Sequence, residues 1–283
     1  MGIIQNFLRD NPDAGVVYYD TEAAVTKDMM EARGIDTERV ILAEPDTIQS
    51  FRTHALKVID TYSKQPRDRR PPMMFCLDSL GLLSTTKEME DTHAGAETRD
   101  MTKAQLLRGT FRVLSLKLAK ANVPLLVTNH TYEVVGSYIP MKEMSGGAGL
   151  KYASSTICFL GKKKDREDKD VVGNIIKVDM VKSRFTKENK KIEVKLSFDK
   201  GLDRYYGLLD LAEKHGIMKK VSTRYELPDG SKVFGKQINA NPKKYFTDDV
   251  MSQLEVAAGK EFLYGQEGDV IENRDTNTEE SSE

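Results

Sequence analysis

Short apolar runs alternate, over the first half of the chain, with stretches in which apolar residues recur every three or four positions. The runs have the continuity of strands buried on both faces, and the periodic stretches have the pattern of amphipathic helices. The runs are AGVVYYD, RVILAEP, MMFCLD and VPLLVTNH, and helical stretches such as TIQSFRTHALKVIDTY separate them. This order predicts an α/β fold with a mainly parallel central sheet flanked by helices.

The pattern changes after Lys151, where STICFLG, NIIKVDMVKSRF and KIEVKLSFD follow one another through short polar connections. These runs predict an antiparallel extension of the same sheet. Two helical stretches around a hairpin with the turn PDG come next, and the chain ends in an acidic segment without aromatic residues, which predicts disorder. We therefore expect a core over residues 1–210, a small helical and hairpin region over 211–264 and a disordered tail over 265–283.

Composition narrows the function classes. The 283 residues are 39% hydrophobic, and 43 Lys and Arg oppose 44 Asp and Glu, so that any contact with nucleic acid must come from local basic patches. Cys76 and Cys158 lie in apolar runs and are expected to be reduced and buried. Because no apolar run approaches the ~20 residues that span a bilayer, we expect a soluble cytoplasmic protein without a membrane partner, in the host cytoplasm if a phage encodes it.

Polar side chains follow three of the predicted parallel strands, at the sheet edge where open α/β sheets bind ligands. Taken alone, each has a structural explanation: Asp20 can cap a helix, Asp78 can accept backbone hydrogen bonds, and His130 can pack in a core. Together they bring carboxylates, a hydroxyl and an imidazole to one edge, as a nucleotide and Mg²⁺ site requires. The polar residues at these ends are Asp20, Glu22, Asp78, Ser79, Asn129 and His130.

A series of ordered motifs resembles one protein family over nearly the whole chain. The motifs are VVYYDTEA, PMMFCLDSLG, VPLLVTNHTYE, MSGGAGLKYASSTICFLGKK, DMVKSRF and GLDRYYGLLDLAEKHGI. The series resembles the RecA-type recombinases, most closely the branch carried by T4-like bacteriophages. The resemblance implies a RecA-like core and a homo-oligomeric filament that uses ATP and Mg²⁺ on single-stranded DNA, searches double-stranded DNA for homology and exchanges strands. Phage single-strand-binding and mediator proteins would be further partners.

The resemblance also implies roles for the residues at the strand ends. Asp78 matches the carboxylate that holds Mg²⁺, usually through a water, with Ser79 beside it. Glu22 matches the glutamate that orients or deprotonates the attacking water. His130, next to Asn129, would sense the γ-phosphate of ATP and signal its presence to the DNA-binding segments.

Two cations in the motif VKSR match a pair that reaches the nucleotide of a neighbouring subunit. Lys182 and Arg184 would there stabilise transition-state charge, and strand alternation would put both on one strand face. From the pattern alone, an edge strand whose charges face solvent and deter aggregation is an equally good explanation.

Two segments resemble the mobile DNA-binding loops of the family, one over residues 84–103 and the other over residues 132–149. Cations in these segments could contact phosphates, an aromatic ring could stack on bases, and glycines could let backbone N–H groups approach DNA. Taken alone, a glycine pair is more often a turn, and helix-surface cations are usually only solvated. The candidates are Lys87, Arg99, Lys103, Tyr138, Lys142, Ser145, Gly146 and Gly147.

Two departures from the family pattern affect the nucleotide site. The phosphate-binding motif G-x-x-x-x-G-K-[ST] is absent from the 283 residues, and Met29 stands where relatives often carry a tyrosine stacked on adenine. Three hypotheses remain open: a phage recombinase whose N-terminal portion is missing from this sequence, a paralogue that binds DNA or caps filaments without hydrolysis, and a ring helicase. In each case we expect the chain as written to bind ATP poorly.

Overall fold

The computed structural model describes residues 1–95, 102–133 and 142–265. The chain divides into two compact units, Met1–Ser154 and Ser155–Glu283. Within the described ranges, no helix is long and apolar enough to cross a membrane.

The first unit is built on a parallel sheet of four strands, as the alternating pattern predicts. The strands lie in the order β2-β1-β3-β4, and every neighbouring pair is parallel. Their bounds are β1 (Gly15–Asp20), β2 (Val40–Ala43), β3 (Met73–Asp78) and β4 (Leu125–Val127).

Helices connect these strands and cover both faces of the sheet. The bounds of the two long helices are marked by capping residues. A capping box of Thr47 and Ser50 starts α3, and Asn122 in the left-handed conformation ends α5. The helices are α1 (Gly2–Asp10), α2 (Lys27–Glu31), α3 (Ile48–Ser63), α4 (Thr86–His93), α5 (Lys103–Ala121) and α6 (Gly147–Ala153).

Alternate residues of β1 and β3 point into two separate apolar cores. Val17, Tyr19 and Leu77 pack in the core that includes the buried faces of α3 and α5. Val16 and Tyr18 pack in the core that includes residues of α1 and α2. This alternation follows from the two-residue period of a strand. It explains why the strand sequences are apolar at nearly every position until they reach Asp20 and Asp78.

A short antiparallel pair, β5 (Thr131–Glu133) and β6 (Lys142–Met144), follows β4 in the same unit. The segment over residues 132–149, which resembles the second DNA-binding loop of the family, contains the end of β5, all of β6 and the start of α6. The regular structure was missed because each strand has only three residues, too few for a period to show.

The second unit contains an antiparallel sheet in the order β10-β9-β8-β7. These strands were predicted to extend the parallel sheet. They are antiparallel, as predicted, but they form a separate sheet. Only two residues separate β7 from β8, with Asp168 at φ 54°, and such a short connection favours a local antiparallel pair. The bounds are β7 (Thr156–Glu167), β8 (Asp170–Ser183), β9 (Lys191–Ser197) and β10 (Gly201–Leu202).

Helices and a small three-stranded sheet complete the second unit around a third apolar core. The predicted PDG turn joins two of these strands. The acidic tail lies outside the described residues from position 266 onward. The elements are α7 (Leu208–Lys214), β11 (Lys219–Val221), β12 (Arg224–Glu226), β13 (Lys232–Phe234), α8 (Gly235–Ala240), α9 (Pro242–Tyr245) and α10 (Asp248–Phe262).

The two cysteines differ in their surroundings. Cys76 is buried on β3, as expected, but Cys158 is exposed, so the expectation of burial is wrong there. Cys158 lies on β7, where exposed and half-buried positions alternate, and it falls on the exposed face. An apolar run therefore does not guarantee burial in a sheet with one open face.

Candidate functional site

Asp78 ends β3, and both oxygens of its carboxylate accept hydrogen bonds from hydroxyl groups. Tyr18 on β1 donates to Oδ2 at 2.6 Å, and Thr128, directly after β4, donates to Oδ1. The Tyr18 residue is 2% exposed, so its hydroxyl is held by the core around its ring. The two bonds fix the plane of the carboxylate, while each oxygen keeps a lone pair for a cation or a water.

Ser79, Glu22 and His130 form a second polar group beside Asp78. Ser79 Oγ donates to Glu22 Oε1 at 3.2 Å and lies 3.4 Å from His130 Nε2. His130 Nε2 lies 4.0 Å from Glu22 Oε1. The Glu22 and His130 side chains are 42% and 64% exposed, whereas Ser79 is buried. A ligand entering from solvent would therefore meet the carboxylate of Glu22 and the imidazole first.

The ends of β1 and β3 are tied together by two reciprocal hydrogen bonds. Thr21 Oγ1 donates to the Ser79 carbonyl at 2.7 Å, and the Ser79 N–H donates to Thr21 Oγ1 at 2.8 Å. Asp20, the last residue of β1, accepts from the N–H groups of Glu22 and Val25. Asp20 therefore shapes the turn that carries Glu22 and does not cap α2.

Gly81 provides the space that His130 occupies. A Cβ atom at this position would lie 2.7 Å from His130 Cδ2, which is closer than real contacts allow. The glycine therefore lets the imidazole approach Ser79 and Glu22.

Burial sets the protonation of two groups next to Asp78. Burial, strengthened by the hydrogen bond to Asp78, raises the pKa of Tyr18 well above its ordinary value of 10.0. Burial and the Asp78 charge raise the pKa of Cys76 to about 12. Tyr18 therefore remains a hydrogen-bond donor at neutral pH, and Cys76 remains a thiol.

Asn129 joins the end of β4 to the predicted second DNA-binding segment. Its Nδ2 donates to the Ser145 carbonyl at 2.7 Å, and the Ser145 N–H donates to the His130 carbonyl at 3.1 Å. Ser145 is followed by Gly146 and Gly147, which have φ of 97° and 71° and lead into α6. The polar strand end and the glycine segment are therefore one connected structure.

The predicted first DNA-binding segment, residues 84–103, contains the helix α4. Lys87 is exposed on α4 and Lys142 is exposed on β6. Lys103, at the start of α5, forms an ion pair with Glu88 at 3.3 Å. Arg99 and Tyr138 lie outside the described residues. The DNA-binding roles of all these residues stay predictions.

Lys182 and Arg184 lie in the second unit. Lys182 is half-buried near the end of β8, opposite Ile157 of β7, and Arg184 is exposed one position past the strand. Because β8 ends at Ser183, the expectation that both share one strand face stays a prediction. β8 pairs with β9 over Gly173–Asp179, whereas the end that carries Lys182 pairs with β7 alone among the described strands, so the edge-strand explanation stays open.

Four residues of this site were missed by sequence reasoning. Tyr18 and Thr128 hold Asp78, Thr21 ties the strand ends together, and Gly81 makes room for His130. The two-residue period of a strand offered one signal, because Tyr18 lies on the same face of β1 as Asp20. In the parallel register Tyr18 pairs with Cys76, two positions before Asp78. The signal was hidden because a tyrosine inside an apolar run usually belongs to a core.

Comparison with known sequences identifies the family. The family described as RecA N-terminal domain matches residues 7–203. The chain belongs to the RecA family. The RecA-family assignment agrees with the described α/β unit and disfavours a ring helicase.

Individual relatives agree with this assignment. The chain is 31% identical, over 77% of its length, to the "Recombination and repair protein" of Enterobacteria phage T4. It is 26% identical, over 91% of its length, to the "Protein RecA" of Lactobacillus johnsonii. The chain spans about half of the phage relative, 54%, and 69% of the bacterial one.

The donor set at Asp78 fits Mg²⁺. Mg²⁺ prefers oxygen ligands, keeps several waters and needs only one or two protein carboxylates. Asp78 supplies one carboxylate, oriented by two hydroxyls, and Ser79 and Glu22 supply further oxygens nearby. The described part of the chain contains no group of three or more His, Cys, Asp or Glu side chains that could hold a metal ion.

Proposed function

We propose that this chain belongs to a DNA recombination and repair protein that assembles as an ATP-dependent filament on single-stranded DNA and pairs it with homologous double-stranded DNA. The observation that carries the proposal is the cluster of Asp78, Ser79, Glu22 and His130 at the carboxyl edge of a parallel sheet. The family match and the names of the relatives support the same reaction class.

In this proposal the two carboxylates have different tasks. Asp78, held by Tyr18 and Thr128, would bind Mg²⁺ through a water, and the ion would neutralise charge on the phosphate oxygens. Glu22, which is exposed and accepts from Ser79, would accept a proton from the attacking water or orient it. Ser79 Oγ contacts both Glu22 and His130, so a movement of the Glu22 carboxylate would be passed to the imidazole through Ser79.

The second glycine segment would receive this signal. His130 and Asn129 both bond to Ser145, so movement of the strand end would move the start of the Ser145–Gly147 turn. Exposed cations near the two segments, Lys87 and Lys142, would contact DNA phosphates. Phage single-strand-binding and mediator proteins would be further partners in filament assembly.

A mixing experiment tests the filament and the trans role of Lys182 and Arg184. The chain is first joined upstream to the phosphate-binding segment of the T4 phage relative, and single-stranded DNA-stimulated ATP hydrolysis is measured. The variants Glu22→Ala and Lys182→Ala should each be inactive alone. A mixture should recover part of the activity, since some interfaces then pair an intact Glu22 with an intact Lys182. Mixtures as inactive as either variant would contradict action across subunits.

A second candidate function is DNA binding or filament capping without hydrolysis, favoured by the absence of G-x-x-x-x-G-K-[ST] from the 283 residues. That motif supplies backbone N–H donors and a lysine to the phosphates, and several charge-assisted hydrogen bonds of about 1.5–3 kcal/mol each would otherwise be lacking. The unextended chain should therefore bind ATP weakly. The two proposed functions predict different results. Joining the phosphate-binding segment of the T4 phage relative should restore DNA-stimulated ATP hydrolysis in a recombinase but not in a capping protein.

A further inference from the structure

A basic groove lies at the end of the first unit opposite Asp78. It has a volume of about 710 Å³ and lies between the C-terminal parts of α3 and α5 and the turn before β3. These parts lead into the starts of β3 and β4, whereas Asp78 is the last residue of β3 and His130 follows the end of β4. We use the name basic groove for the surface lined by Arg67, Arg70, Arg112, Val113, Leu116 and Lys120.

Cations dominate the walls of the basic groove. Lys117 also lines it, but it forms an ion pair with Asp60, so these two charges cancel. Arg67, Arg112 and Lys120 form no ion pair with any residue in the described part of the chain. The groove therefore carries uncompensated positive charge.

Arg70 is a cation fixed in position. Its Nε donates to the Gln65 carbonyl at 2.7 Å and its Nη2 to the Ser63 carbonyl at 2.5 Å. The guanidinium also lies over the Tyr62 ring, 5.6 Å from its centroid. Carbonyls orient this guanidinium without neutralising its charge, and a guanidinium has five N–H donors, so donors remain for an anion. Such pre-organisation lowers the entropy cost of binding.

The floor of the basic groove is aliphatic. Leu116 is 57% exposed and Val113 is 41% exposed, and neither is used by the core around α5. Arg112, Leu116 and Lys120 recur at every fourth position of α5, so an apolar side chain lies between two cations along one helical row. The row offers an anchor for one apolar side chain with a carboxylate on either side.

We propose that the basic groove is a docking site for an acidic peptide segment of a partner protein, in which carboxylates flank one or two apolar side chains. Charge complementarity argues for the acidic side chains, and the exposed aliphatic floor argues for the apolar ones. Nucleic acid fits less well, because single strands bind through bases stacked on aromatic rings and this floor presents none. The docking site is distinct from the candidate nucleotide site and does not depend on its function.

Fluorescence anisotropy of a labelled peptide tests the proposal on the full chain at low salt. The probe is a short peptide of glutamates around a central leucine pair, and a second probe contains glutamates alone. The double variant Arg112→Glu/Lys120→Glu should weaken binding of the leucine probe roughly tenfold or more. The matched control Arg9→Glu/Lys27→Glu makes the same charge change at exposed positions outside the groove and should leave the affinity within about twofold.

The floor is tested separately. Leu116→Ser replaces an exposed side chain and should not disturb folding, which circular dichroism checks. The substitution should lower the affinity for the leucine probe several-fold and leave the affinity for the glutamate probe unchanged. The proposal is overturned if the leucine probe does not bind, or if the groove and control variants bind it equally well. It is also overturned if an oligothymidylate loses as much affinity as the leucine probe in the groove variant, since the surface would then be one for nucleic acid.

Discussion

The Tyr18 hydroxyl donates a hydrogen bond of 2.6 Å to Oδ2 of Asp78, across the neighbouring strands β1 and β3. A hydrogen bond to an ionised group contributes about 1.5–3 kcal/mol, roughly twice a neutral one. Tyr18→Phe keeps the buried ring and removes only this donor. We expect urea unfolding followed by circular dichroism to show a loss of about 1.5–3 kcal/mol.

Tyr19→Phe is the matched control, because Tyr19 is the next residue on β1, is equally buried, and bonds to His54 Nδ1 at 3.0 Å instead of to a carboxylate. It should cost only about 0.5–1.5 kcal/mol. Equal losses in the two variants would mean that the Asp78 carboxylate does not depend on Tyr18.

Gly173 permits the close approach of β8 and β9. A Cβ there would lie 2.4 Å from the Leu196 carbonyl oxygen, and backbone cannot move aside cheaply. Gly173→Ala should therefore cost about 1–3 kcal/mol and speed hydrogen exchange of the β9 amides.

Gly161→Ala, on the neighbouring strand β7, is the control. Its added Cβ would meet Lys177 Cβ at 3.7 Å, an ordinary contact, so the β9 amides should exchange at the wild-type rate. Unchanged β9 exchange in Gly173→Ala would show that the strands can separate without cost.

Glu261 gives the second unit a pH-dependent contact. Hydrogen bonds from Lys214 at 2.6 Å and Lys190 at 3.1 Å lower the pKa of Glu261 from 4.5 to about 2. Because the pKa is lowered by folding, the stabilisation is fully present above about pH 4.5 and is lost as the pH falls toward about 2. Both lysines are partly exposed, so solvent screening limits the loss in Glu261→Gln to about 1–2 kcal/mol at neutral pH.

The measurement is the difference in unfolding free energy between wild type and Glu261→Gln across this pH range. It should shrink as the pH falls from about 4.5 toward about 2. The exposed Glu255 lies on the same helix, and Glu255→Gln should show no such pH-dependent difference. A Glu261→Gln difference that does not change down to pH 2 would contradict the contact.

Local patterns predicted the parallel sheet well because β1 and β3 are apolar on both faces, which only a sheet covered on both sides allows. The rule that polar residues at the carboxyl ends of parallel strands meet at one sheet edge likewise predicted that Asp78, Glu22 and His130 lie close together. The hydroxyl pair on Asp78 was not predicted, because Tyr18 reaches it from a neighbouring strand, and such pairing depends on register. The short pair β5 and β6 was not predicted because each strand has only three residues, too few for a strand period to show.

The central claim is that Asp78 holds the metal of a nucleotide site at this edge of the sheet. Calorimetric titration of Mg²⁺·ATP tests it, using the chain joined upstream to the phosphate-binding segment of the T4 phage relative, with Asp78 intact or as Asp78→Asn. The substitution keeps the shape of the side chain and removes its charge; one of the two hydroxyls of Tyr18 and Thr128 can still donate to the amide oxygen, while the other must accept from the amide nitrogen. We expect binding by the intact protein and a loss of roughly tenfold to a hundredfold in Asp78→Asn. Equal affinity of the two proteins for Mg²⁺·ATP would contradict the account.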